Sequence, residues 1–569
     1  MLSKWIEKTC FEHKSTIFVE SKTILKRYKI DMKKTFLMLL FALVGVSVKA
    51  QLGTIVSYKD GQVEGIDSSG VKIFRGVPFA QPPVGQLRWK APQPVIPWKG
   101  VLNAKQFAPD PMQHNAYGDI VFNGPKQSED CLYLNIWTPA KTKNDKLPVL
   151  IYFNGGGLVC GSGSEARYQG LTLARRGGII VVTANYREGI FGFFSHPLLT
   201  QEGNCNGNQG WLDQAEAIKW VHQNISAFGG DPNKITINGE SAGAQSVCAQ
   251  TVSPIAKHLI AGYMCSSGSI VSNATPVTLK ESERLGEEWT LKNSLTSLEQ
   301  MRALSAQQLE QLNDGRFGEP TKCIDGIFLT EDPNITIQKG KQAQVPALLG
   351  HNNAELTISA FNGGKVPTLE NVAPFVQHYF GVDASKVYPL YNIYSDADLQ
   401  GLAGHELGGD CFISYATWKW TDMVAGSSKK SVYRYVYCHP RPNMILKGKA
   451  PGLAGGTVDV KEEDKPKAIA PGAIHSADIE YAMGNLSTNT SFPWSAKDYA
   501  VSEIFQQIYI NFVKYGNPNG LGVPTWQPYS KNDEAPAVMY IDLKTEQRKD
   551  KAVMHRYRTI DQYILKKMK

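Results

Sequence analysis

A strand-like run and a helix-like run meet at a single serine in KITINGESAGA (234–244). The alternating Lys234, Ile235, Thr236, Ile237 suits a strand, and the small residues after Gly239 suit a sharp turn into a helix. Gly239 and Gly243 flank Ser241 at the two positions where a larger side chain would collide with strand or helix. This pattern predicts Ser241 at the apex of a strand-turn-helix, pointing outward, where a neighbouring base can activate its hydroxyl. The same turn brings the Ala242 amide to the helix start, where its N–H and the helix dipole can face a developing oxyanion.

Other segments repeat the strand-helix rhythm. LPVLIYF (147–153) and IIVVTANY (179–186) are short, apolar and bounded by polar or glycine-rich stretches, as expected of strands buried on both faces of a parallel sheet. WLDQAEAIKWVHQNISAF (211–228) carries Leu212, Ala215, Ile218, Lys219 and Val221 at helical spacing before GGDP stops it. The order predicts an α/β fold, a central mostly parallel sheet with helices on both faces. After the strand 147–153 comes Asn154-Gly155-Gly156-Gly157, a loop whose amides can turn toward one point as oxyanion donors. The following GSGS lacks the GK[ST] ending of a phosphate-binding loop.

The 569 residues are 42% hydrophobic and 20% charged, which excludes a mainly disordered chain and allows a large core. The net charge of +8 is concentrated at the start: residues 1–50 hold ten Lys and Arg against four Asp and Glu, leaving only +2 for the rest. That near balance, with no basic stripe, excludes nucleic acid as an expected partner. Residues 1–31 read as an N-terminal extension, the mark of an over-long start ahead of Met32. From Met32, a lysine pair, an apolar stretch from Thr35 to Val48 and small residues up to Ala50 form a signal-peptide pattern over 32–50. The stretch falls short of the roughly 20 residues of a membrane span; an uncleaved anchor or a buried first helix are the alternatives. Cleavage after Ala50 would leave residues 51–569 as one body, secreted or periplasmic, with no stable membrane insertion. Eight cysteines then remain, an even number that permits disulfides, at spacings that disfavour a structural metal. The Gly, Pro and Lys-rich stretch 444–473 reads as a surface loop.

FRGVPFAQPPVGQLRW (74–89), SEDCLYLNIWTP (128–139), ANYREGIFGF (184–193), the GESAG block and GAIHSADIEYAMGN (472–485) together make the chain resemble the type-B carboxylesterase and cholinesterase-like family, through essentially all of it after the leader. The resemblance implies an α/β-hydrolase fold and a serine carboxylic-ester hydrolase with a Ser-His-Glu triad, acting on a small-molecule ester through an acyl-enzyme and needing no cofactor or metal. Ser241 takes the place of the nucleophile, His475 that of the general base and acid, and Glu355, in VPALLGHNNAEL (345–356), that of the carboxylate which orients it. Gly156, Gly157 and Ala242 take the places of the oxyanion amides. The same chemistry would serve an amide, lactone or thioester. The fold also occurs in non-enzymatic binding or adhesion relatives that lost the triad, but all three positions are filled here.

Several residues depart from the family pattern. Asn154 stands where a histidine usually leads the triple glycine, and Leu158 where an aromatic follows it. Ala354 and Leu356 replace Asp and Gly beside Glu355. Pro111 stands where the partner of Cys131 is expected, and no Trp lies between Pro109 and Cys131, removing the cation-binding indole of cholinesterase relatives.

Overall fold

A computed structural model describes residues 51–568 apart from Asn115, 204–205 and 462–468, together with a few positions between 22 and 29. The proposed extension and leader thus lie almost wholly outside the described residues. Residues 52–569 form one compact unit, and among the described residues no helix is long and apolar enough to cross a membrane.

Its centre is an 11-stranded sheet, whose strands we number in chain order: β1 (Ile66–Ser68), β2 (Val71–Pro78), β3 (Tyr133–Thr138), β4 (Leu147–Phe153), β5 (Ile180–Ala184), β6 (Gly230–Gly239), β7 (Gly262–Ser266), β8 (Ala347–Asn352), β9 (Val432–Tyr437), β10 (Val538–Ile541) and β11 (Glu546–Arg548). Across the sheet the order is β11, β10, β9, β8, β7, β6, β4, β5, β3, β2, β1. From β5 to β10 every neighbouring pair is parallel. Antiparallel strands close both edges. The sheet is mostly parallel, as its apolar runs predict.

The helices that matter for the site are α1 (Leu171–Gly177), α2 (Gln209–Asn224), α3 (Ala242–Val252), α4 (Leu369–Phe380), α5 (Leu402–Phe412), α6 (Ser414–Ser427), α7 (Ala496–Tyr515) and α8 (Lys551–Lys567). Alternation along β4 explains how both faces are covered. Val149, Ile151 and Phe153 join Trp211 and Ile218 of α2, Val247 of α3 and Trp420 of α6 in one core. Leu150 and Tyr152 join Leu173 of α1 and Phe505, Ile508 and Phe512 of α7 in the other. Period-2 side chains divided between two helical layers leave the strand no solvent face, so its sequence is continuously apolar. A third cluster, from α4, α5, α6 and α8, forms a helical cap. That cap carries the end of α5 toward the carboxyl ends of the parallel strands, where ligands bind in open α/β sheets.

Within the stretch 444–473, residues 449–459 form a hairpin instead of a plain surface loop. Lys449–Pro451 pairs antiparallel with Thr457–Asp459, and the turn between them is pinned by a hydrogen bond from the Gly456 N–H to Asp119 Oδ2 (3.0 Å) and by Arg167, whose Nη2 donates to the Ala454 carbonyl (2.5 Å).

Candidate active site

At the end of β6 the backbone turns at Ser241 with φ 58° and ψ −123°, and α3 starts at the next residue. A non-glycine residue there carries strain on the order of 1–3 kcal/mol. The turn is held by the Ser241 N–H donating to the Ser266 carbonyl (3.0 Å) and the Gly243 N–H donating to the Glu240 carbonyl (2.8 Å). Both flanking glycines are required sterically: a Cβ on Gly239 would lie 2.4 Å from the Gly243 carbonyl carbon, and one on Gly243 would lie 2.3 Å from the Phe153 oxygen. The fold places the serine where the glycine spacing predicts.

His475 comes from a loop 234 residues further on, and its Nε2 stands 2.9 Å from the Ser241 hydroxyl. On the other side of the ring, Nδ1 stands 2.6 Å from Glu355 Oε2. Glu355 follows β8 and is only 2% exposed; its second oxygen accepts from the Asn352 N–H (2.6 Å) and from the Ser267 hydroxyl. The loops carrying Glu355 and His475 are joined through their backbones: the Ala354 N–H donates to the Ala473 carbonyl (2.9 Å) and the His475 N–H to the Glu355 carbonyl (2.9 Å). These bonds need no particular side chain at 354, so the loss of the usual Asp and Gly around Glu355 leaves its position intact. On the cap side α5 approaches this loop through Gly408, where a Cβ would lie 2.3 Å from the Leu356 oxygen.

Gly156 and Gly157 follow β4 with positive φ, 107° and 65°. A Cβ on Gly156 would lie 1.8 Å from the Cys160 oxygen. Among the described residues the N–H groups of Gly156 and Gly157 have no hydrogen-bond acceptor. Asn154 braces this loop from behind, its Nδ2 donating to the Gly155 carbonyl and to Glu188 Oε1 (both 3.0 Å). Glu188 is fully buried, and burial raises its carboxyl well above the usual range, against the lowering by its hydrogen bonds to Asn154 and Tyr186. Leu158 is wholly buried in the core and does not line the pocket.

Sequence reasoning missed Glu240, which precedes the serine. Its Oε1 lies 3.4 Å from His475 Nε2 and accepts from the Ser476 hydroxyl (3.0 Å). Burial pushes its carboxyl up to about 7. Burial also opposes a charge on His475, but Glu240 and Glu355 outweigh it and lift the imidazole to about 9. Phe412, at the end of α5, packs edge-on against His475, ring centres 5.0 Å apart. A small pocket of about 30 Å³ opens over the serine, bounded by Tyr117, Ile120, Tyr168, Phe412, Leu453 and Ala454. Leu453 and Ala454 belong to the hairpin turn pinned by Arg167. Tyr117 and Ile120 come from the stretch that lacks the expected Trp. Glu240 was visible in the motif as a residue without an assigned role; Phe412 and Tyr117 carry no local signal. Cys131 is a buried free thiol, as are Cys160, Cys248, Cys265, Cys323 and Cys411; Cys438 is free and half-buried, and Cys205 lies outside the described residues. Among the described residues no group of three or more His, Cys, Asp or Glu is arranged to hold a metal ion.

A model of the carboxylesterase family matches residues 53–560. The chain is 30% identical over 522 residues to the para-nitrobenzyl esterase of Bacillus subtilis, covering 86% of this chain and 96% of that one. It is likewise 30% identical over 522 residues to carboxylesterase 1E of Mus musculus, with coverages of 84% and 87%. Among solved structures, a thermophilic PNB esterase aligns with a TM-score of 0.73 at 28% identity, over 90% of this chain and 99% of that one. Because the match takes in the whole sheet and the loops bearing Ser241, Glu355 and His475, the chain belongs to the carboxylesterase family of carboxylic ester hydrolases and has its α/β-hydrolase fold.

Proposed function

We propose that the protein hydrolyses small-molecule carboxylic esters through an acyl-enzyme on Ser241. The observation that carries this is the unbroken relay from Ser241 Oγ to His475 (2.9 Å) to Glu355 (2.6 Å), beside two glycine N–H groups free to donate to a negative oxygen. His475 Nε2 takes the serine proton as Oγ attacks the ester carbonyl. The N–H groups of Gly156, Gly157 and Ala242 receive the oxyanion, and His475 then protonates the departing alcohol. Water, deprotonated by the same nitrogen, releases the acid and regenerates Oγ–H. Glu355 keeps the proton of the resting ring on Nδ1 and stabilises the imidazolium. Tyr117, Ile120, Phe412 and Leu453 give part of the pocket wall an apolar surface, against which the carbon skeleton of an ester can pack.

The same reading places the enzyme outside the cytoplasm, because residues 32–50 have the pattern of a signal peptide; mature protein should begin at Gln51. The test of the chemistry is hydrolysis of p-nitrophenyl acetate by the native protein and its loss in Ser241→Ala with the fold unchanged. Undiminished turnover in that variant would refute the assignment.

A further inference from the structure

A second and larger cavity, of about 440 Å³, lies beside the acid loop, lined by residues of β8, β9, α5 and α8. Arg434 of β9 lines it. All of β9 is buried, and Arg434 is 1% exposed. Its guanidinium stands over the ring of Tyr557 of α8, 5.1 Å from the centroid, and Tyr557 in turn stacks on Trp418 at 4.9 Å. A stacked face leaves the edge of the guanidinium to make hydrogen bonds, yet buried Nε and Nη2 both lack an acceptor. Among the described residues no carboxylate pairs with Arg434.

The carboxylates around the cavity have other partners. Glu406 and Asp410 face Arg556, at 2.6 and 3.6 Å. Asp542 faces His439 (3.0 Å), and Asp550 caps α8 by accepting from the N–H groups of Ala552 and Val553. His351 of β8 also lines the cavity. Burial, with Arg434 and Arg556 nearby, holds its imidazole well below the usual range and hence neutral, and its Nδ1 is buried without a partner. A buried guanidinium with neither counter-charge nor acceptor is strongly disfavoured unless something in the cavity supplies both.

We propose that this cavity binds a small organic carboxylate, held by Nε and Nη2 of Arg434 and by Nδ1 of His351. The two free nitrogens of Arg434 lie on one edge of the planar group, the fork that matches the two oxygens of a carboxylate in a bidentate pair. The mouth of the cavity carries the exposed Leu402, Arg548 and Asp550, giving a route from solvent. The site is separate from the Ser241 pocket and does not depend on the ester-hydrolase chemistry. It does border that machinery: Asn352, whose N–H holds Glu355, also lines the cavity.

Calorimetric titration of the full-length protein with benzoate, in native and Ser241→Ala backgrounds, tests the site. Benzoate is expected to bind in both backgrounds. Arg434→Gln should weaken binding about ten- to hundredfold, the worth of hydrogen bonds to a charged group. Arg434→Lys, which keeps the charge but loses the fork, should weaken it as well. Benzoate affinity unchanged in folded Arg434→Gln or Arg434→Lys, or inorganic phosphate binding as tightly as benzoate, would overturn the proposal. Should both variants fail to fold, crystals of native protein soaked in 4-bromobenzoate decide it. An anomalous bromine peak in the Arg434 cavity supports the proposal; a peak confined to the Ser241 pocket, or none, overturns it.

Discussion

Glu240 Oε1 lies 3.4 Å from His475 Nε2, the same nitrogen that faces the Ser241 hydroxyl. The base in the proposed relay therefore carries carboxylates at both ring nitrogens, Glu355 on one side and Glu240 on the other. This arrangement stabilises the imidazolium formed as the serine attacks, but it also keeps the ring protonated to higher pH at rest.

The pH dependence follows in sign. His475 can accept a proton only when neutral, so a pKa raised to about 9 moves the acid limb of kcat/KM upward from the ordinary histidine range. Removing the Glu240 charge takes away one of the anions responsible. Glu240→Gln is expected to shift the acid limb down by about one to two pH units, read from kcat/KM for a p-nitrophenyl ester between pH 5 and 10. A limb that stays in place would show that Glu240 is uncharged when His475 titrates.

Glu355 sits under different control. It is buried, satisfied at both oxygens, and bonded to Nδ1 at 2.6 Å. Glu355→Gln keeps the shape but offers an amide where an anion orients the ring, so kcat should fall by up to about 10⁴. Circular dichroism should remain native, because the backbone bonds between the two loops do not involve this side chain. Near-native turnover would move the role to another carboxylate.

How far the sequence discloses this arrangement depends on where each constraint originates. The strand Leu147–Phe153 was legible because burial on both faces leaves a continuous apolar run. Ser241 was legible because its strained turn demands glycines at fixed offsets. Glu355 was readable only through family resemblance, since its position is set by backbone bonds to Ala473 and His475, which impose no residue pattern. Glu240, Phe412 and Tyr117 acquire their roles through contacts with segments far away in sequence. Arg434 is the sharpest case: it is buried against Tyr557 of α8, more than a hundred residues away, and nothing local in VYRYVY marks it. The hairpin within 444–473 was hidden for a related reason, as Arg167 and Asp119, not local propensity, hold its turn.

The glycine loop gives a steric test. In Gly156→Ala the new Cβ would fall 1.8 Å from the Cys160 oxygen, so the loop must shift and carry its amides with it. Loss of one oxyanion donor costs about 10²–10³ in kcat, and a loss of that size is expected with little change in KM. The split is checked by steady-state kinetics on a soluble ester. A change confined to KM would mean that these amides bind the ground state alone.

The most direct measurement is intact-mass spectrometry of the folded protein after treatment with a fluorophosphonate. A single adduct, formed with loss of fluoride, mapped by peptide sequencing to Ser241 and absent from Ser241→Ala, is the expected result. Native protein that takes up no label, or an adduct that persists in Ser241→Ala, would contradict an activated serine at the turn between β6 and α3.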